Sequence, residues 1–500
     1  MRSIFSSLLA ARNPQIAAAV LFAGAFAASA FAQEAKPRKG DWPMWGGGPD
    51  RNFHSDEKGI PTTWEHKTGK NIKWVAPLGS QSYGNPTIGG GKVLVGTNNG
   101  GEFRPKAKGD KGIMLCFDME TGKLLWQATH DKLPTGQVND WPEQGICSSA
   151  AIDGDRAYYV SNRCELVCVD LEGLKEGKNT GPYTSEKYNE AGDADFVWIF
   201  DMIEELGVFP HNLATSSPLI VGDFIYLHTS NGVDEGHLNL PAPDAPAFIC
   251  VEKKTGKLVW HKDYPGKHTL HGQWSSPTYG VVNGKPMVFF AGGDGYCYAL
   301  DPKNGEMIWK YDLNPKDAKY VLGGRGTKSY IIATPLFKDN RVFLAVGQDP
   351  EHGEGVGHYH CIDATKTGDV TETAKVWSAD GNDFHRTIAS SAAVDGLVYA
   401  SDLSGFLYCF DEKTGKRHWR YDTMAAVWGT PYVVDGKVML GDEDGVVHVL
   451  RHGPEMKELA KVEMESSVYT TPVAAHGMLF LATKRNLYCI KDGAQLKKSD

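Results

Sequence analysis

The sequence predicts an all-β chain folded as an eight-bladed β-propeller of four-stranded antiparallel blades. Two repeated elements and a pair of complementary ends predict it. The first element runs from an acid to a tryptophan: Asp118 to Trp126, Glu252 to Trp260, Asp301 to Trp309 and Asp411 to Trp419, always eight residues apart, with Thr-Gly or Asn-Gly between them. Asp363 to Trp377 is a stretched copy, and Asp170 to Trp198 a more interrupted one. The second element is a small-small-Pro start, as in Ser216-Ser217-Pro218, Ser275-Ser276-Pro277, Ala333-Thr334-Pro335, Gly429-Thr430-Pro431 and Thr470-Thr471-Pro472. Asn85-Pro86 opens the first unit, and Ser149-Ala150 and Ser391-Ala392 keep the pattern with Ala for Pro. That gives eight starts, at 86, 150, 218, 277, 335, 392, 431 and 472. Finally, the last unit stops at Leu487-Tyr488-Cys489-Ile490 without a fourth strand, while Thr68-Gly69 to Trp74 supplies one. Pairing the N-terminal strand into the last blade closes the ring and hides both edges. Seven blades is the alternative, if the second unit is only a decorated loop.

One unit reads as four strands. An apolar run precedes Val-Asn-Gly at 282–284 or Val-Asp-Gly at 394–396 and 434–436, which are hairpin turns. A second strand follows. Segments such as Gly405-Phe-Leu-Tyr-Cys-Phe form the third. Asp-x-x-Thr-Gly is a turn whose acid caps backbone amides, and Lys-x-x-Trp begins the fourth strand.

The balance of 41% hydrophobic and 23% charged residues is that of a globular chain, and 57 glycines fit many tight turns. A net charge of −9 argues against a nucleic-acid surface. Arg2 and Arg12 precede an uncharged run from Ile16 to Ala32, ending in Ala30-Phe31-Ala32. This is the pattern of a secretory signal cleaved after Ala32, and it places the mature protein in the periplasm or outside the cell. No later stretch is long and apolar enough for a membrane span. The expected organisation is a signal at 1–32, an N-terminal extension at 33–60, the propeller at 61–491 and a tail at 492–500, in a monomer.

The acid-x-x-Thr-Gly-x-x-x-Trp segment resembles the tryptophan-docking motif of pyrroloquinoline-quinone (PQQ) repeats. Propellers of quinoprotein alcohol dehydrogenases and of outer-membrane-assembly lipoproteins use it. The resemblance covers about 60–490 and implies a structural role for Trp74, Trp126, Trp260, Trp309, Trp377 and Trp419, each packing between neighbouring blades. It is a resemblance of fold, and one fold hosts many functions.

Six of the nine cysteines, Cys116, Cys168, Cys250, Cys361, Cys409 and Cys489, share one repeat position, occupied by Ala299 and Val449 in other units. A small buried residue is wanted there. Cys147 and Cys164 leave open a hairpin disulfide. No Cys-x-x-Cys-His is present, so no c-type haem is expected. Nor is there the vicinal Cys-Cys that quinoprotein alcohol dehydrogenases often place against their cofactor.

The loops that lead into each innermost strand converge on one end of the channel. They carry Trp141, His211, Asn212, His271, Gln273, Trp274, Arg325, Tyr330, His385, Arg386 and Trp428. Aromatic faces and cations suit a planar polyanion such as PQQ. Such an enzyme also needs Ca²⁺ on oxygen ligands, for which Asn162 and Glu165 are the available pair. A second constellation, Asp349, Glu351, His352, Glu354, His358 and His360, mixes acids with imidazoles as a transition-metal site would. Inserts at 171–206 and 231–247 read as lids or partner surfaces. Three functions stay open: a binding or scaffold module with a small molecule or protein at the funnel, a PQQ- and Ca²⁺-dependent dehydrogenase of alcohols or sugars, and a metal-binding propeller through the 349–360 loop.

Overall fold

At the three hairpins read from sequence, the backbone does what the turn residues allow. Asn283-Gly284, Asp395-Gly396 and Asp435-Gly436 all take positive φ at both central positions. That turn matches the twist of the flanking strands. In the computed structural model, which describes residues 39–496 except 176–177, 180 and 348–355, eight antiparallel sheets follow one another. Their innermost strands are Thr87–Gly89, Ala151–Asp153, Leu219–Val221, Thr278–Val282, Leu336–Lys338, Ser391–Val394, Tyr432–Val434 and Val473–Ala475. They define blades 1 to 8, so the seven-bladed alternative is set aside. The second unit is a full blade: its fourth strand is Asp195–Asp201, followed by the short helix Met202–Leu206 capped by the Asp201 carboxylate.

Blade 8 closes the ring as expected. Lys70–Pro77 pairs antiparallel with Asn486–Gln495, setting Trp74 opposite Cys489. The last strand runs past 491, into the expected tail.

The repeat motif is explained by contacts between blades. Each docking indole donates to a carbonyl of the next unit: Trp74 to Met119, Trp126 to Leu171, Trp260 to Pro302, Trp309 to Ala364, Trp377 to Glu412 and Trp419 to Gly453, at 2.9–3.1 Å. Trp198 docks in the same way on Lys253. Burying an indole removes roughly 150–250 Å² from water, a gross gain of about 4–6 kcal/mol per dock. The recurrent Cys slot lies directly across the strand pair from that indole, as Cys116 from Trp126, Cys250 from Trp260 and Cys409 from Trp419. A larger residue there would push the indole out of its seat.

The small-small-Pro starts form a belt around the channel. Backbone amides donate to the next blade's side chain: Asn85 to Ser149, Ser149 to Ser217, Ser217 to Ser276, Ser390 to Thr430, Thr430 to Thr471, and Thr471 to Asn85 Oδ1, all at 2.9–3.1 Å. Ser275 and Ser390 join the remaining blades by donating to the carbonyls of Ala333 and Thr334.

The N-terminal extension is built into the ring. Its backbone meets His476 through Gly40, Ile88 through Trp42, Ile152 through Pro43, Tyr279 through Pro49, Phe337 through Asp50 and Val433 through Phe53. Asn52 exchanges two side-chain bonds with Ala393. Blade 3 is reached by Arg51, fully buried, whose guanidinium donates to the carbonyls of Ser217, Pro218, Pro277 and Trp45. This strap therefore visits all eight blades along their inner edges. It satisfies backbone groups that an innermost strand would otherwise leave bare.

Candidate functional site

The strap serves the inner strands, and the loops that precede them form the opposite mouth. There the chain makes one concentrated constellation, over blades 3 and 4. Pro210-His211-Asn212 leads into blade 3. His271-Gly272-Gln273-Trp274 leads into blade 4. The insert between Phe224–His228 and Phe248–Glu252 supplies His237. Backbone bonds tie the three segments, His211 N to Ser230 O and Val233 N to His271 O, and Gly323 N to Leu270 O adds the loop that leads into blade 5. An Asp234 turn shapes the insert, its carboxylate accepting from the amides of Leu238 and Asn239. That turn holds His237 at φ 55°, left-handed for a residue with a Cβ.

The result is three imidazoles pointed at one spot. His271 Nε2 lies 2.8 Å from His211 Nε2 and 3.3 Å from His237 Nε2. His211 and His271 are buried and His237 is half-buried. The far nitrogens are held from behind: His211 Nδ1 by the Val233 carbonyl at 2.8 Å, and His271 Nδ1 by the Tyr330 hydroxyl at 2.9 Å. Trp274 packs edge-on to His271 with centroids 5.0 Å apart, and its indole N–H donates to His211 O. Glycines make the approach possible. A Cβ on Gly232 would stand 2.8 Å from the His211 Cβ, one on Gly323 2.5 Å from the His237 carbonyl, and one on Gly272 2.4 Å from the Trp274 ring.

Of the expected funnel residues, the structure brings His211, His271, Trp274 and Tyr330 together. Trp141 and Asn212 brace the same loops through main-chain bonds. Gln273 donates to Asn231 O, while its Oε1 is buried with no hydrogen-bond partner among the described residues. The others go elsewhere. Arg325 is exposed, His385 binds Asp402 at 3.0 Å, Trp428 packs on Tyr469, and Arg386 lies beside His385. His237 was missed. Its only sequence signal is a lone His in an acidic, Pro-rich insert.

In the 349–360 constellation, Asp349, Glu351, His352 and Glu354 lie outside the described residues. His358 and His360 share a face of the strand Val356–Asp363, as alternation requires, with ring centroids 6.4 Å apart. His360 is turned inward onto the Tyr311 hydroxyl, and burial pushes it down to about 3.

The oxygen pair considered for Ca²⁺ does not fit that ion. Burial would raise the Glu165 carboxyl, but His130 and Arg163 outweigh it and hold it at about 2. Glu165 takes bonds from Ser161 and Arg163, both 2.9 Å. Asn162 donates its amide to Asp140, which is already paired with the Lys132 ammonium, while its Oδ1 is buried with no hydrogen-bond partner among the described residues. The one carboxylate charge of the pair that calcium would need is thus already held by Arg163. All nine cysteines are free, Cys147 and Cys164 included.

A family profile described as outer membrane protein assembly factor BamB matches residues 33–173, 63–232, 110–349 and 362–453. The chain belongs to this family of PQQ-type repeat propellers. The BamB of Moraxella catarrhalis superposes with a TM-score of 0.53 at 15% identity, covering 84% of this chain and 99% of that one. The quinohemoprotein alcohol dehydrogenase ADHIIG of Pseudomonas putida HK5 gives 0.57 at 13% identity, over 95% and 83%. Both likenesses are of fold. In sequence, the dehydrogenase subunit of a quinone alcohol dehydrogenase from Komagataeibacter europaeus is 23% identical over 463 residues, 84% of this chain but 55% of that protein. Lupanine 17-hydroxylase from a Pseudomonas species is 22% identical, over 85% and 65%. This BamB-family chain therefore spans about half to two thirds of those relatives. No helix among the described residues is long and apolar enough to cross a membrane.

Proposed function

We propose that this propeller is an exported, monomeric binding module that takes a small ligand at the mouth over blades 3 and 4. Its place of work is the periplasm, and its acidic surface has no use for nucleic acid. The observation that carries the reading is the convergence of His211, His237 and His271 from three separate loops, with Trp274 and Tyr330 around them. Loops held this closely by glycine-dependent contacts are a preorganised site, which lowers the ordering cost of binding. The dehydrogenase reading has the names of the relatives in its favour. Against it stands Glu165, the one carboxylate of the oxygen pair, whose charge is already taken by Arg163.

The test is titration of the mature protein with PQQ plus Ca²⁺, followed by tryptophan fluorescence and by dye-linked oxidation of alcohols and sugars. Neither saturable quenching nor turnover is expected. Saturable quenching with turnover would make the protein a quinoprotein dehydrogenase and end the binding-module reading.

A further inference from the structure

We infer that His211, His237 and His271 form a three-imidazole site for a divalent first-row transition metal, with Zn²⁺ the best fit, and that the metal is what receives the ligand at the mouth. The inference rests on the binding-module reading and names the chemistry of that site.

The geometry points to a metal because every imidazole presents the same atom to the same place. His271 Nε2 faces the Nε2 atoms of both His211 and His237, and one donor atom from each of the three lies within 4.8 Å of the others. Around a tetrahedral Zn²⁺ with Zn–N of about 2.0–2.1 Å, neighbouring nitrogens stand roughly 3.3 Å apart. The His271–His237 separation is 3.3 Å already, and the His271–His211 pair at 2.8 Å needs to open by a few tenths of an ångström.

The supporting contacts agree. A metal-bound Nε2 leaves its proton on Nδ1, which must donate outward to an oxygen. His211 Nδ1 meets the Val233 carbonyl, an oxygen that can only accept, so the proton sits on Nδ1 and the Nε2 lone pair faces inward. His271 Nδ1 meets the Tyr330 hydroxyl, which can accept in the same way. Buried Nε2 atoms of two histidines at 2.8 Å can share a proton or bind one cation between them. The third histidine favours the cation, since a shared proton serves a pair, whereas His237 brings its own Nε2 to within 3.3 Å of His271 Nε2. Imidazole donors suit Zn, Cu, Fe and Ni rather than Ca²⁺ or Mg²⁺. Three protein ligands leave a tetrahedral ion one position open, which a carboxylate, imidazole or hydroxide on an incoming ligand would take.

The experiment uses tag-free mature protein, stripped with chelator and titrated with Co²⁺ as a spectroscopic stand-in for Zn²⁺. One equivalent should give the intense visible absorption of tetrahedral Co²⁺, bleached by one equivalent of Zn²⁺. X-ray absorption of the Zn²⁺ form should show about three imidazole nitrogens at about 2.0 Å. His237→Ala, on the half-exposed insert, should keep the wild-type circular dichroism and lose the cobalt spectrum. Tyr330→Phe should keep the spectrum and bind roughly 10–100-fold more weakly. Absence of saturable Co²⁺ and Zn²⁺ uptake by the folded wild type overturns the site, as does unchanged uptake by His237→Ala. Octahedral cobalt, or an absorption edge without imidazole scattering, overturns it too. Such a failure would leave the binding-module reading standing, because that reading falls only to PQQ- and Ca²⁺-dependent turnover.

Discussion

The indole of Trp126 in blade 1 covers Gly173 of blade 2 so closely that a Cβ on Gly173 would stand 2.5 Å from the indole Cδ1. Gly173 also has φ +65°. Two costs are combined there, and Gly154 separates them: its φ is +62°, with nothing within 4 Å of its virtual Cβ. Gly154→Ala should cost only the left-handed backbone term, about 1–2 kcal/mol. Gly173→Ala should add the displaced indole, about 1–3 kcal/mol more. Urea midpoints of the two variants test this. Equal shifts would mean that the dock relaxes freely.

Arg51 supports a second prediction. Burial pulls its guanidinium down to about 9, with the Asp50 charge opposing, so it stays cationic at neutral pH. Arg51→Met keeps the stem but strips donors from the carbonyls of Ser217, Pro218 and Pro277. Leaving two or more of these buried oxygens bare should cost at least about 3 kcal/mol. Native-state digestion with Lys-C at Lys58 should accelerate as the strap loosens. An unchanged rate and midpoint would mean that the strap is held without its arginine.

How much of this was legible in sequence follows from what each feature needs. Docking tryptophans, hairpin turns and the closing strand recur at fixed offsets, so period alone exposes them. Trp198 escaped the roll of docks because the insert from Leu171 onward separates it from its acid. The small-small-Pro starts were visible, but their belt was not, since each bond joins residues 40 or more positions apart. Arg51 is one cation in a glycine-rich stretch, with no repeat to mark it. His237 meets His211 and His271 only because the loops of two blades fold onto each other, and neither composition nor spacing reports such contacts. The Asn162–Glu165 pairing was drawn from proximity in sequence, which does not report that Arg163 holds Glu165 or that Asn162 donates to Asp140.

The thiols give a third expectation. Burial pushes Cys147, Cys168, Cys361, Cys409 and Cys489 up to about 12, so almost no thiolate exists near pH 7. Native protein should alkylate slowly. Unfolded without reductant, it should take nine labels, because all nine cysteines are free. Seven labels, with Cys147 and Cys164 unmodified, would restore the hairpin disulfide.

Asp294 makes stability depend on pH. Burial raises its carboxyl to about 6, against the opposing hydrogen bonds of the Tyr298 hydroxyl and the Tyr296 amide. The folded state thus binds this proton more tightly than the unfolded chain, whose carboxyl titrates near its ordinary value of 3.8. Below that value both states are neutral and nothing is lost. Between it and about 6 the unfolded state ionises first, so stability falls as pH rises; above about 6 the whole penalty stands. Two units correspond to about 3 kcal/mol in order of magnitude. Asp294→Asn keeps the shape and an acceptor for the Tyr296 amide but cannot ionise. Its stability relative to the wild type should therefore improve from pH 4 to pH 7.5, most steeply between 4 and 6. Urea midpoints at a series of pH values measure this. A difference between the two proteins that is flat across that window would mean that Asp294 ionises at its ordinary value.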